Sequence, residues 1–421
     1  MNKPELLAPA GSLEKAKVAF MYGADAIYAG SAKLSLRSRV GLDTSALSEI
    51  IEYAHSISKK VYVALNIYAY DENYEDIKEE VKRLAEIGAD AIIASDGGVI
   101  ECIKEVAPQM EIHLSTQANA TSLEACKFWA KNGAKRIVLA RELSKQKVDY
   151  IMKNKPKDLE IELFIHGAIC FAHSGRCYLS QYLSDRGANC GDCSQPCRWQ
   201  YRVSAEEVNT PGSIVNIDFD EKGTYIFSSK DLCLIRKVPD IVNMGIESLK
   251  IEGRLKTEYY LATVVRVYRQ AIDDYIKSPN TWDYTKYLKE LEKVKTRGIS
   301  EFYFTDDKNQ DIHDFSGFSE NLEYEYGAKV IEKYEGLGEN VHLVEIRNKL
   351  SIGDFLEILM PGGLDVVEFN ITKLYDVNTK EPIKCVNPGV KGQAVYIELP
   401  VIASEGAIIR RKKDVSANGT R

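Results

Sequence analysis

Tyr22-Gly-Ala-Asp-Ala-Ile27, Ile87-Gly-Ala-Asp-Ala-Ile-Ile93 and Asn132-Gly-Ala-Lys-Arg-Ile-Val138 are three versions of one phrase. Each closes a helical stretch and runs into a short apolar one. A glycine just past a helix takes the left-handed conformation that ends it, and the chain then enters a strand. The phrase is an internal α-turn-β repeat, the mark of an alternating architecture.

The alternation extends both ways from these phrases. Runs rich in Val, Ile, Leu or Ala predict strands at Glu5–Ala10, Ala26–Gly30, Val61–Asn66, Ala91–Ser95, Glu111–Gln117, Arg136–Ala140, Ile161–His166 and Ser248–Glu252, as strands buried on both faces should read. Helices are predicted at Ser12–Met21, Thr44–Ser58 and Asn73–Ile87, with Thr44 and Asn73 as N-caps. Eight strands in this order predict an α/β chain folded as a (β/α)8 TIM-like barrel, with a doubly wound open sheet as the alternative. A barrel gathers its chemistry where the strands end. Here those ends are polar: Asn66, Ser95-Asp96, Ser115-Thr116-Gln117, Arg141-Glu142, His166-Gly167 and Glu252-Gly-Arg254. A purely structural rim needs only turn formers, so the repetition marks a site, although Ser95-Asp96 and Ser115-Thr116 serve equally as helix caps.

The barrel is expected over residues 1–275, with a Cys-rich insertion at 168–235. Within the insertion Val203–Gly223 reads as loop. A helix over Asp231–Asn243 would set Cys233 at its start, where amide dipoles favour a thiolate. Helix Lys256–Tyr275 is expected to pack on the barrel, and residues 276–325 to form a helical connector. Over 326–415, alternating runs at Ala328–Glu332, His342–Ile346, Phe355–Met360, Val395–Leu399 and Ala407–Arg411 predict a small β-barrel domain.

At 421 residues, 45% hydrophobic and 28% charged, the chain can bury a sizeable core. A net charge of −7 speaks against a generic nucleic-acid binder and leaves room for a local basic site around Arg176, Arg186, Arg198, Arg202, Arg236 and Lys237. No apolar run reaches the ~20 residues of a membrane helix. Glu5 interrupts the apolar start, so a cytoplasmic protein with no signal peptide and no membrane partner is expected.

Six of the nine cysteines fall within 64 residues: Cys170, Cys177, Cys190, Cys193, Cys197 and Cys233. Disulfides are rare in the cytoplasm, so metal binding is the better reading. A zinc ribbon wants two Cys-x2-Cys pairs, and only Cys190 and Cys193 make one. A 4Fe–4S cluster takes four thiolates at irregular spacing, and spacing alone does not choose which. Zinc, disulfides or thiols in place of the cluster are expected of an oxidised preparation. His166 and His173 flank Cys170, which leaves a cysteine nucleophile with a histidine base open.

Glu162-Leu-Phe-Ile-His-Gly-Ala-Ile-Cys170-Phe-Ala-His-Ser-Gly-Arg-Cys177-Tyr-Leu-Ser180 resembles the signature of the collagenase-like peptidase family 32 of unknown mechanism, the peptidase U32 family. Leu6-Leu-Ala-Pro-Ala-Gly11, Gly23-Ala-Asp-Ala-Ile-Tyr28, Ser229-Lys-Asp-Leu-Cys233 and Lys250-Ile-Glu-Gly-Arg254 support the likeness, which spans about residues 4–275. The C-terminal β domain is similar to that of the family's longer members. In size and layout the chain looks like members that support prephenate-dependent, oxygen-independent 5-hydroxylation of the tRNA wobble uridine. Other members act on ribosomal RNA cytidine or ubiquinone precursors. The resemblance implies a 4Fe–4S cluster on Cys170, Cys177, Cys193 and Cys233, with Cys190 and Cys197 extra and Cys197 the rival ligand. It implies prephenate as co-substrate, and the tRNA anticodon region and a paralogue as partners.

Placing a hydroxyl on C5 of a pyrimidine is a net oxidation and needs a redox cofactor. Prephenate carries two carboxylates, which the planar fork of arginine binds in pairs. Arg254 is the first candidate, followed by Arg141 and Arg176; His166 is the candidate acid/base, with Glu252 beside Arg254 at the last strand's end. Trp199 and Tyr178 offer rings for a flipped base. The expected function is iron–sulfur RNA modification. The alternatives are a peptidase acting on collagen-like or other extended peptides, and a non-catalytic scaffold.

Overall fold

The structure, a computed structural model, describes residues 2–32, 34–35, 41–206, 214–217, 227–305, 311–313, 323–389 and 392–413, with backbone alone for 203–206 and 214–217. The first seven strands are β1 (Glu5–Pro9), β2 (Ala26–Gly30), β3 (Lys60–Ala64), β4 (Ala91–Ala94), β5 (Glu111–Leu114), β6 (Arg136–Val138) and β7 (Glu160–Ala168). After β8 (Asp231–Cys233) comes β9 (Ser248–Ile251). Strands β1 to β7 and β9 are parallel, and Ser248 pairs with Glu162 on one side and Glu5 on the other, so the ring closes. The alternation is a TIM-like barrel and not an open sheet. Most residues of β2 to β6 are fully buried, which is why these strands read as continuous apolar runs.

The repeated phrase works as its glycines predict. Gly23, Gly88 and Gly133 take φ of +107°, +80° and +104°. Its aspartate adds a second function: Asp25 Oδ2 accepts from the Leu6 amide at 3.0 Å, and Asp90 Oδ2 from the Val61 amide at 2.7 Å. Each turn thus ties off the start of the neighbouring strand. A fourth copy, Gly245-Ile-Glu247, is disguised by its glutamate; Gly245 has φ +74°, and Glu247 Oε2 accepts from the Ile161 amide at 2.8 Å.

Two caps differ from expectation. Helix Thr44–Ser56 is capped by Asp43, which accepts from the Ala46 amide at 2.9 Å, so Thr44 is already helical. The Asn73 side chain turns back to the Tyr70 amide at 3.0 Å instead of capping helix Tyr74–Glu86.

The expected helix over Asp231–Asn243 begins only at Val238. Asp231–Cys233 is strand β8, antiparallel to the end of β7, with Cys233 opposite His166. Strand β7 is nine residues long, against three to five for its barrel neighbours, and its overhang recruits β8. Within the insertion, Val203–Glu206 and Ile214–Ile217 form a hairpin where loop was expected. The connector is helical only in part, at Thr285–Leu291 and two short 3-10 turns.

The C-terminal part is a seven-stranded antiparallel sheet curled as a half-barrel. Its order is Val366–Asn370, Phe355–Leu359, Ile408–Lys412, Tyr324–Lys333, Val341–Ile346, Ala394–Glu398 and Leu374–Asp376. It is clasped to the barrel. Tyr22 Oη donates to the Leu359 carbonyl (2.8 Å) and accepts from the Ile408 amide (3.0 Å), and burial pushes its phenol up to about 12. The basic run Arg410-Arg-Lys-Lys413 is partly internal: Arg410 is fully buried and bonds Glu290 (2.6 Å) and Glu357 (2.7 Å). Burial alone would raise the Glu290 carboxyl; hydrogen bonding from Arg410 and the charge of Arg266 hold it down to about 2. Among the described residues no helix is long and apolar enough to cross a membrane.

Candidate functional site

The carboxyl ends of the strands open into one cleft, with about 1130 Å3 of empty space including its mouth. The barrel contributes Tyr28, Asn66, Ser115, Gln117, Arg141, Phe164, Lys250, Glu252 and Arg254. The insertion folds over them with Cys170, Cys177, Cys193, Cys197 and Arg198. One wall is neutral and polar: Asn66 Nδ2 donates to Gln117 Oε1 at 3.0 Å and to Ser115 Oγ at 3.4 Å. The other is cationic. Arg141 donates to the Ala168 carbonyl at 2.9 Å, and its guanidinium lies 4.5 Å from the Phe164 ring centre. Arg254 is buried, and Tyr28 Oη donates to Glu252 Oε2 at 3.0 Å. Four cations, Arg141, Arg198, Lys250 and Arg254, against one lining carboxylate, Glu252, favour an anionic occupant.

Four cysteines converge here, and no disulfide joins any of the nine in the chain. Burial pushes the Cys197 thiol up; Arg198 opposes this, while the neighbouring sulfurs of Cys170, Cys193 and Cys177 add to it. Cys190 is exposed and lies outside the cleft lining. Cys233 also lies elsewhere. It is buried behind β7, its Sγ 3.7 Å from Tyr268 Oη, and burial raises its thiol to about 11. Cys233 lies on strand β8 and not in a helix; the Ile235 amide at the start of the following 3-10 turn and Tyr268 oppose the rise without overcoming burial.

Of the expected catalytic groups, Arg254 and Glu252 line the cleft and His166 does not. The register of β7 against β9 shifts between Lys250 and Ile251, so the two strands are irregular where His166 stands. The His166 ring packs on Tyr260 and Tyr268 of helix Glu258–Lys277, with centroids at 6.0 Å and 5.5 Å. Its Nδ1 stands 3.4 Å from Tyr268 Oη, and burial lowers its pKa to about 4 against a raising contribution from Asp231. Arg141 lines the cleft. Arg176 is exposed above it, donating to the Gln117 carbonyl at 2.7 Å. Tyr178 and Trp199, 73% and 41% exposed, project from the insertion. Several neighbouring cations are spoken for: Arg186 by Asp192 at 2.5 Å, and Lys237 by Glu301 at 3.2 Å.

Sequence reasoning named Gln117 among the polar strand ends and Arg198 in the basic group, and missed Tyr28 and Lys250 as parts of the same site. The signal for Lys250 was present: in Ser248-Leu-Lys-Ile-Glu252 it shares a strand face with Glu252.

The model of peptidase family U32 matches residues 11–314, and that of the family's C-terminal domain matches 323–410. The chain belongs to peptidase family U32. Members with different names resemble it over most of its length. A tRNA hydroxylation protein P of Escherichia coli K12 is 37% identical, covering 95% of this chain and 94% of its own. A 23S rRNA 5-hydroxycytidine synthase of the same organism is 32% identical, over 85% of this chain and 53% of its own. A protein named collagenase from Porphyromonas gingivalis is 31% identical, over 94% of this chain and 95% of its own.

Proposed function

We propose that this U32 protein takes part in RNA hydroxylation: prephenate-dependent 5-hydroxylation of the tRNA wobble uridine, with a 4Fe–4S cluster at the barrel mouth. The observation that carries this reading is the convergence of four cysteines and four cations on one cleft, in a chain whose relatives include two named for RNA hydroxylation. A single zinc, with Zn–S of about 2.3 Å, needs sulfurs about 3.8 Å apart. No three His, Cys, Asp or Glu side chains among the described residues are grouped to hold one ion. A four-iron cluster spreads its thiolates more widely, which is the better match to four cysteines around one cleft.

Cys170, Cys177 and Cys193 would hold the cluster, with Cys197 completing the set in the geometry described; the family resemblance favours Cys233 in that place. When bound, the cluster supplies electron transfer that side chains cannot. Arg141 and Arg254 would take the carboxylates of prephenate, and Gln117 and Asn66 present amides to a polar edge of the base. The insertion's exposed Tyr178 and Trp199 would stack on flanking nucleotides. The soluble partner is the tRNA anticodon region, and the setting is the cytoplasm.

The test is anaerobic purification with iron and sulfide analysis. Brown protein with broad absorbance near about 400 nm is expected. Cys197→Ser should abolish it and Cys233→Ser should retain it. The reverse result transfers the fourth ligand to Cys233, and colourless wild type overturns the cluster. Peptide cleavage is the second reading, favoured by the family's name and the collagenase-named relative. It requires hydrolysis that survives iron removal.

A further inference from the structure

Three cations stand along one wall of the cleft, spaced by two aromatic rings. Arg141 lies 4.5 Å from the centre of Phe164. Lys250 Nζ lies 5.5 Å from that same ring and 4.3 Å from the centre of Tyr28. Arg254 lies 5.8 Å from Tyr28. Lys250 is therefore the middle member of the row.

Lys250 is also among the most deeply set, only 4% exposed. Its ammonium makes one hydrogen bond among the described residues, to Glu162 Oε1 at 2.7 Å. An ammonium has three donors, so two remain for the ring faces and the cleft that Lys250 lines. Glu162 is fully buried and does not depend on Lys250 alone. Its other oxygen receives Arg136 Nη1 and Ser248 Oγ, each at 3.4 Å. A buried ion pair adds little stability over a well-packed neutral pair. Charge balance in the barrel interior also does not require the lysine to share rings with two cleft arginines.

We propose that Lys250 is a substrate-binding residue, the middle contact of a three-point site for a small dicarboxylate whose ends are held by Arg141 and Arg254, with Glu162 positioning it. A dicarboxylate with a carbonyl between its two acid groups offers Lys250 an oxygen, and Lys250 then selects for that carbonyl. The inference rests on the reading that the cleft takes an anionic co-substrate such as prephenate.

Calorimetric titration of the intact anaerobic protein with prephenate tests it. Lys250→Met alone would leave the buried Glu162 charge with only the two longer contacts, from Arg136 and Ser248, so the informative variant is Lys250→Met with Glu162→Gln, which removes both charges together. Its affinity for prephenate should fall about 10- to 100-fold, with cluster absorbance and thermal midpoint close to wild type. A second measurement needs no variant: prephenate should slow reductive methylation of Lys250 in the wild-type protein and leave Lys286, which is 61% exposed, unaffected. Unchanged affinity in the double variant, or unchanged methylation of Lys250, overturns the inference and leaves the proposed function standing. A wild-type protein that binds no prephenate overturns the co-substrate itself.

Discussion

Replacing His166 by glutamine separates a structural imidazole from a catalytic one. The ring is buried against Tyr260 and Tyr268, and burial sets its pKa at about 4. In the unfolded chain a histidine titrates near about 6.5. The folded value is the lower one, so as pH falls the unfolded chain takes up the proton first. The neutral ring's contribution to stability is complete above pH of about 6.5 and is lost between about 6.5 and about 4. Linkage gives a loss of about 2 kcal/mol at pH of about 5, growing to about 3 kcal/mol at still lower pH. Denaturant unfolding of wild type and His166→Gln at pH of about 7.5 and about 5 reads this difference directly. Wild type should lose about 2 kcal/mol more than the variant between the two conditions. Hydroxylation at the higher pH should change by only a few-fold. Parallel stability losses would refute the buried neutral ring. A fall of about 100- to 10,000-fold in rate would restore His166 as the acid/base.

Arg254→Glu should abolish prephenate-dependent hydroxylation with cluster absorbance intact, because it turns a buried cation of the cleft into a like charge for the substrate; full activity ends that assignment. Arg410→Met removes the buried cation that joins Glu290 and Glu357, leaving Glu290 to Arg266 and Lys293 and Glu357 to Lys293 at 3.7 Å, and should cost about 3 kcal/mol in denaturant unfolding; a loss under about 1 kcal/mol would show the clasp to be idle. The same clasp should weaken as pH falls from about 4.5, the usual Glu value, towards about 2, since the depressed carboxyl stabilises the fold only while ionised. Tyr178→Ala with Trp199→Ala should weaken anticodon-arm binding about 5- to 100-fold without touching iron content; unchanged binding removes both rings from the RNA surface.

The barrel was legible because its signals are local. Each Gly-Ala-Asp phrase fixes a left-handed turn at its own glycine, and apolar runs of four or five residues need no partner to be recognised; only the aspartate caps reach further, to amides 19 and 29 positions away. Asp231–Cys233 was not legible for the opposite reason. Its conformation is set by pairing with residues of β7 more than sixty positions earlier and by the Gly298 carbonyl that accepts from the Asp231 amide at 2.9 Å. His166 was misplaced because one register shift reverses which face a strand residue uses, and no pattern in the chain records the shift. The cleft was legible as polar strand ends, and Arg141, Glu252 and Arg254 all line it. Lys250 shares a strand face with Glu252, but its burial was not read from that pattern because a lysine in a strand ordinarily marks an exposed edge. Cys197 could not be ranked above Cys233 by spacing, since the insertion's short turns decide which sulfurs face inward.

Mass spectrometry of tRNA nucleosides tests the account most directly, in a strain lacking this protein and any paralogue, complemented with wild type or with Cys193→Ser. Loss of wobble 5-hydroxyuridine, its return with wild type and its continued absence with Cys193→Ser are predicted. Hydroxyuridine unchanged in the deleted strain, or fully restored by Cys193→Ser, would contradict the union of clustered sulfurs and RNA chemistry in this cleft.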